Sequence, residues 1–184
     1  GLGGASANGI LIKGSNYIEA LAKCDVLVFD KTGTLTKGNF KVAEIKAVPD
    51  EQGSEKTLLE KAVIAELFSN HPIALSLKNE LKSIDNELYN KLTKVTDSSG
   101  YEEITGHGIK AQVNGEIIYV GSKKLMDKFG ISYKTVETLG TVVYVACGNK
   151  SQQATCLGYI AISDEMKSDA KAAIDGLKKI GIDN

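Results

Sequence analysis

Residues 26–38 read VLVFDKTGTLTKG, a run of apolar residues of the kind found in protein interiors that ends on an aspartate, followed at once by lysine, threonines and glycine. The apolar run is unbroken and its β-branched residues alternate with Leu27 and Phe29, which predicts a fully buried strand over DVLVFD, 25–30. Asp30 then stands at the C-terminal end of that strand. In open parallel α/β sheets this is the edge where ligands bind, because the following loops and helix N-termini supply backbone N–H donors. A carboxylate placed there can attack a phosphoryl phosphorus and form an acyl phosphate. Such a transfer needs nearby positive charge and donors for the non-bridging oxygens. DKTGT offers Asp30 as nucleophile, Lys31 as cation, Gly33 for a close backbone turn and Thr34 as hydroxyl donor. The plainer reading of the same residue types is a strand-end aspartate capping an Asp-x-x-Gly turn.

Outward from this loop the patterning changes twice. Upstream, GSNYIEALAKC reads as a short helix capped near Ser15. Downstream of Lys37-Gly38, NFKVAEIKAV alternates with period 2, as a half-exposed antiparallel strand does. Helices follow near 54–69 and 73–84, separated by SNHP, where the proline forces its predecessor out of the helical region. EEITGHGIKAQVNGEIIYVG gives two strands joined by Asn114-Gly115, a strong hairpin signal. SKKLMDKFG and YKTVETLG read as short helices, and TVVYVACGNKSQQATCLGYIAIS as a second hairpin. From Asp164 onward apolar residues fall at 166, 170, 174 and 177, a helical stripe with Asp164 and Glu165 near its positive end. The expectation is an α/β domain formed by residues 1–37 and 159–184, interrupted by an α+β insertion over 38–158 of about 120 residues, an ordinary domain size.

Composition narrows the function classes. The chain has 184 residues, 42% apolar and 24% charged, with a formal charge of −1 and no lysine or arginine block, so a nucleic-acid or anionic-membrane surface is excluded as the main partner. Cys24, Cys147 and Cys156 are odd in number and widely spaced, which predicts reduced core thiols rather than disulfides or a zinc site. No run reaches the roughly 18 apolar residues of a membrane helix and no signal peptide opens the sequence, so a cytosolic piece is expected. GLGGASANG at the start lacks a preceding strand and lacks both G-x-G-x-x-G and G-K-[ST]. It reads as the cut edge of a longer protein.

DKTGTLT, residues 30–36, resembles without a mismatch the phosphorylation signature of P-type ATPases, ion pumps whose phosphorylation domain has the haloacid-dehalogenase-like fold. The resemblance implies an incomplete, Rossmann-like phosphorylation domain interrupted by an α+β nucleotide-binding domain, an antiparallel sheet flanked by helices. It implies that Asp30 receives the γ-phosphate of ATP, with Lys31 and Thr34 beside it, and that Asp30 and the Thr32 carbonyl help hold Mg²⁺. Related phosphatases carry an acid/base aspartate two residues after the nucleophile; Thr32 here cannot serve as one. ELFSNHPIA resembles the histidine-proline motif of the heavy-metal-transporting subgroup, and GHGI its Gly-x-Gly element. By position Glu66 would contact the adenine amino group, His71 would orient the purine, and Gly106 and Gly108 would let the backbone approach the nucleotide. His71 alone also reads as a helix cap. Ser122 stands where copper pumps have asparagine near the ribose and phosphates, and GGASANGILIKG is more similar to zinc, cadmium and lead pumps. The implied whole is an ATP-driven heavy-metal pump on the cytoplasmic face of a membrane. Its further partners would be the actuator and transmembrane domains of the same full-length chain, and this stretch alone would bind ATP without turning it over. A haloacid-dehalogenase-like phosphatase and a non-enzymatic ATP-sensing module remain the alternatives.

Overall fold

The period-2 segment after Gly38 opens a six-stranded sheet in the computed structural model, which describes residues 1–49, 54–94, 100–138 and 140–182. The chain divides into two compact units, residues 1–37 with 166–184, and residues 38–165. The boundary expected at 158 falls inside a strand that runs on to Met166.

In the larger unit the strands are β1 (Thr36–Ala47), β2 (Tyr101–Ile104), β3 (Gly108–Val113), β4 (Glu116–Gly121), β5 (Thr141–Asn149) and β6 (Gln152–Met166), in the order β1-β6-β5-β4-β3-β2. Each pair from β2 to β6 is antiparallel. Asn114 and Gly115 both take positive φ, 51° and 84°, in the two-residue turn between β3 and β4, the mirror-image conformation that suits a twisted hairpin. Between β5 and β6 the Asn149 Oδ1 accepts the Ser151 and Gln152 N–H groups at 2.8 and 2.9 Å and closes the second hairpin.

Strand alternation sends side chains to two cores. On one face Ile118, Val120, Val143, Val145, Ile160 and Ile162 meet Leu58, Leu59 and Val63 of a helix over Glu55–Ala65, together with Leu77 and Leu81 of another over Pro72–Ile84. These helices are α3 and α4 here, after α1 (Leu2–Ala7) and α2 (Ser15–Ala22) of the smaller unit. Ser54 caps α3, its hydroxyl accepting the Thr57 N–H at 3.2 Å. A short α5 (Asn86–Leu92), which the sequence reading missed, follows α4 and is capped by Asp85. On the opposite face Tyr119, Tyr144 and Ala146 pack with Leu125 and Met126 of α6 (Lys123–Lys128) and with Ile131.

Several expectations are corrected. Residues 133–138 form no helix; Tyr133 instead packs on Tyr144, ring centroids 4.8 Å apart, and the Tyr144 hydroxyl accepts the Val136 N–H. Residue 139 lies outside the described residues. Helix α3 stops at Ala65 rather than near 69, because Glu66 is its C-cap. Helix α2 is preceded by Gly14 with no side-chain cap, so Ser15 is a first-turn residue rather than the cap. All three cysteines are free and only partly buried: Cys147 borders the first core, Cys156 the second, and Cys24 donates to the Val26 carbonyl.

The smaller unit departs most from expectation. Residues 25–30 carry only an isolated bridge at Val26, and Val28 is 90% exposed. A parallel strand owes its burial to a ladder and a layer on each side. Here one side is covered: Leu27 and Phe29 border the same small cavity as Ile174 and Leu177 of α7 (Ala170–Lys179). Helix α7 begins at Ala170, not near Asp164, since Asp164, Glu165 and Met166 belong to β6.

Candidate functional site

The smaller unit holds the aspartate loop. Asp30 is extended, and residues Lys31–Leu35 make one irregular helical turn with Thr32 at φ −75°, ψ 121° and Gly33 at φ 79°, ψ −15°. Those angles are a type II turn centred on Thr32-Gly33, so glycine is required at its second corner. Three backbone carbonyls of this stretch, those of Lys31, Gly33 and Leu35, are engaged internally. Thr36, 1% exposed, donates from Oγ1 to the Lys31 carbonyl at 3.0 Å and accepts the Gly33 N–H at 3.1 Å. The Lys167 Nζ donates to the Gly33 carbonyl at 2.9 Å, and its N–H to the Leu35 carbonyl at 2.9 Å. Asp30, Lys31, Thr32 and Thr34 are all left exposed on this held loop. Sequence reasoning missed Thr36 and Lys167. Thr36 was visible as the last residue of DKTGTLT; the long-range contact of Lys167 had no local signal.

The larger unit brings the other five predicted residues together. Glu66, His71, Gly106, Gly108 and Ser122 line one cleft of about 360 Å³, with Ser69, Glu103, His107 and apolar walls from Ile104, Val120 and Val142. Glu66 reaches it from the end of α3, His71 from the start of α4, the glycines from the β2–β3 turn and Ser122 from the start of α6.

His71 is the N-cap of α4: its Nδ1 accepts the Ile73 N–H at 3.2 Å, which leaves Nε2 carrying the ring proton. Pro72 fixes the first helical turn behind it. The two glycines have different reasons. Gly106 has φ 71° in a three-residue turn with open space where a Cβ would point. Gly108 lies against β4, and a Cβ there would come within 2.3 Å of the Val120 carbonyl oxygen. Ser122 is tied to the same turn, donating from its N–H at 2.8 Å and its hydroxyl at 3.2 Å to the His107 carbonyl.

Glu66 is the unusual group of the cleft. It is 7% exposed, and Oε2 has no hydrogen-bond partner. Burial pushes its carboxyl from 4.5 up to about 7, against the opposing pull of the Ser69 hydroxyl and the Lys78 ammonium, with Glu103 adding to the rise. Lys78 donates to the Ser69 carbonyl at 2.7 Å, and its own burial lowers its pKa.

Residues 24–184 match the haloacid dehalogenase-like hydrolases. The chain belongs to that family. Over 99% of its length it is 47% identical to the cadmium, zinc and cobalt-transporting ATPase of Bacillus subtilis, and over its full length 42% identical to the zinc-transporting ATPase of Synechocystis. It spans 24% and 23% of those two relatives, so about a quarter of each. Among solved structures, a zinc-transporting PIB-type ATPase in its E2.Pi state matches 98% of the chain, and 28% of that protein, at 29% identity and a TM-score of 0.62. The family resemblance drawn from DKTGTLT and SNHP is borne out by these matches. No helix among the described residues is long and apolar enough to cross a membrane.

Proposed function

We propose that this chain is the ATP-binding and phosphoryl-accepting region of a P-type pump for heavy-metal cations, of the zinc and cadmium kind. One observation carries the reading: five residues chosen from sequence line a single cleft whose buried carboxyl oxygen lacks a partner. A buried polar atom left unsatisfied in a cleft costs stability unless a ligand completes it. An adenine ring fits the apolar walls, with Glu66 and His71 at its edge and Gly106, Gly108 and Ser122 along the nucleotide.

In the other unit Asp30 is the phosphate acceptor. Its exposure leaves the carboxylate open to in-line attack on the γ-phosphorus of ATP, the bond to the β,γ-bridging oxygen breaking as ADP leaves, while Lys31 and the Thr34 hydroxyl offer charge and a donor to the phosphate oxygens. Asp30 and the Thr32 carbonyl are hard oxygen donors of the type Mg²⁺ takes. Bound there, the ion would neutralise charge on the transferred phosphate. Thr32 supplies no carboxylate for a hydrolytic step, which favours an acyl phosphate that lasts. The pump itself, its cytoplasmic placement and the actuator and transmembrane domains of the full-length chain are what the resemblance of DKTGTLT and SNHP to such pumps implies.

The test is Asp30→Asn in the full-length protein. Acid-stable phosphoenzyme should disappear while ATP affinity is kept, because the nucleophile and the cleft residues sit in different units. Phosphorylation that survives the substitution would overturn the assignment.

A further inference from the structure

The cleft presents a carboxyl group in a form that restricts what can bind it. Glu66 is more than nine-tenths buried and borders the cleft, with the Ser69 hydroxyl among its neighbours and Oε2 unpartnered. The groups facing it come from every neighbouring element. Lys78 of α4 is near, but donates to the Ser69 carbonyl. From β2 come the Glu103 carboxylate, which repels a second negative charge, and the Tyr101 phenol, whose own pKa is raised by burial and by Glu103 and Glu66. His71 has its Nδ1 taken by the cap, and His107 has Nδ1 against the Thr105 carbonyl at 2.9 Å. None of these is a full counter-ion for an ionised Glu66, and an incoming triphosphate adds further negative charge.

On the reading that the cleft takes an adenine nucleotide, we infer that Glu66 meets the base as the neutral carboxylic acid, its hydroxyl donating to a ring nitrogen and its carbonyl oxygen accepting the neighbouring exocyclic amino group, so that binding takes up a proton. The chemistry of the two edges supports this. A neutral carboxylic acid pairs one donor with one acceptor, and adenine offers an acceptor nitrogen beside an amino donor. A carboxylate would set a lone pair against that nitrogen. Guanine, with N1–H beside its amino group, offers two donors and suits the carboxylate instead. The protonation state of Glu66 therefore also sets base preference. The carboxyl titrates near neutrality, so the neutral form is abundant enough in the free protein to be selected.

Calorimetry of ATP binding without added metal, in buffers of different protonation enthalpy, reads the proton directly, and Glu66→Gln supplies the reference. Glutamine keeps one donor and one acceptor but cannot titrate, and the comparison cancels titration of the triphosphate. Relative to that variant, the native chain should take up about half a proton near pH 7, and its affinity should fall about tenfold from pH 6 to pH 8. The variant should bind ATP at about the affinity the native protein shows at low pH. The preference for ATP over GTP should narrow as pH rises in the native chain alone. NMR titration of the Glu66 carboxyl carbon gives a second measure, with the midpoint moving up when ATP is bound. Proton release, no uptake relative to the variant, or a variant that folds yet loses ATP at every pH would overturn the inference while leaving nucleotide binding intact. Failure of both proteins to bind ATP would instead remove the reading beneath it, and the inference with it.

Discussion

His71 does two jobs that a single substitution would confuse, since its Nδ1 caps α4 while its ring lies on the cleft wall. Alanine removes both, whereas asparagine keeps a cap oxygen and removes the ring. His71→Ala should lower stability by about 1 kcal/mol and weaken ATP binding about five- to thirtyfold. His71→Asn should weaken binding as much with little loss of stability, as thermal melts and calorimetry would report. Unchanged affinity in the asparagine variant would leave His71 a cap and nothing more. The spacing of SNHP made the residue legible, but the cap and the contact share that spacing, so sequence alone could not separate them. Glu66 was legible only by resemblance. Its burial depends on α3 ending at Ala65 and on β2 lying alongside, which no local pattern encodes. Its cost follows from the same burial. Folding raises this carboxyl from 4.5 to about 7, so the stability it contributes is fully present below about pH 4.5 and is lost as pH rises through about 7, on the order of 3 kcal/mol.

Elements whose signals are local were read correctly, and those that depend on neighbours were not. Asn114-Gly115 dictates its hairpin by backbone conformation, and Ser54 and Pro72 fix the starts of α3 and α4. Residues 133–138 carry weak helical spacing, yet the Tyr133 and Tyr144 rings pack and the Tyr144 hydroxyl takes the Val136 N–H, and that packing decides their path. Residues 25–30 have the composition of a central strand, but a ladder has to be supplied by another strand. At the junction of β3 and β4 the determinant is steric. A side chain at Gly108 would meet the Val120 carbonyl oxygen at 2.3 Å and the Gly121 Cα at 2.5 Å, with φ at 140° besides. Gly108→Ala should therefore force these strands apart and cost about 2–4 kcal/mol, read as a lowered denaturant midpoint. Gly106→Ala meets open space and should cost less, about 1 kcal/mol, from its positive φ alone. Equal losses at the two positions would mean that the β3–β4 contact is not what makes Gly108 necessary.

At the scale of the molecule, the sequence reading and the structure place the end of the insertion differently, and the difference can be measured. The sequence reading ends the insertion near residue 158 because the strand-then-helix order of the opening returns toward Ser163-Asp164. Yet Ile160 and Ile162 are 0% and 1% exposed and belong to the core that α3 and α4 cover, paired through β6 to Val143 and Thr141 of β5. A piece ending at 158 would lose both isoleucines, and removing even one buried isoleucine side chain costs about 2–5 kcal/mol. That is comparable to the whole stability of many domains. A piece covering 38–165 keeps both cores and all five cleft residues, and its two ends lie in β1 and β6, which are neighbours in the sheet. Residues 38–165 alone should therefore fold cooperatively and bind ATP with the affinity of the full 184-residue chain, while residues 38–158 should show no cooperative melt and no binding. Melting curves and ATP titrations on the two pieces decide it. A shorter piece that folded and bound as well as the longer one would show that the end of β6 is dispensable and that residue 158 is the true boundary.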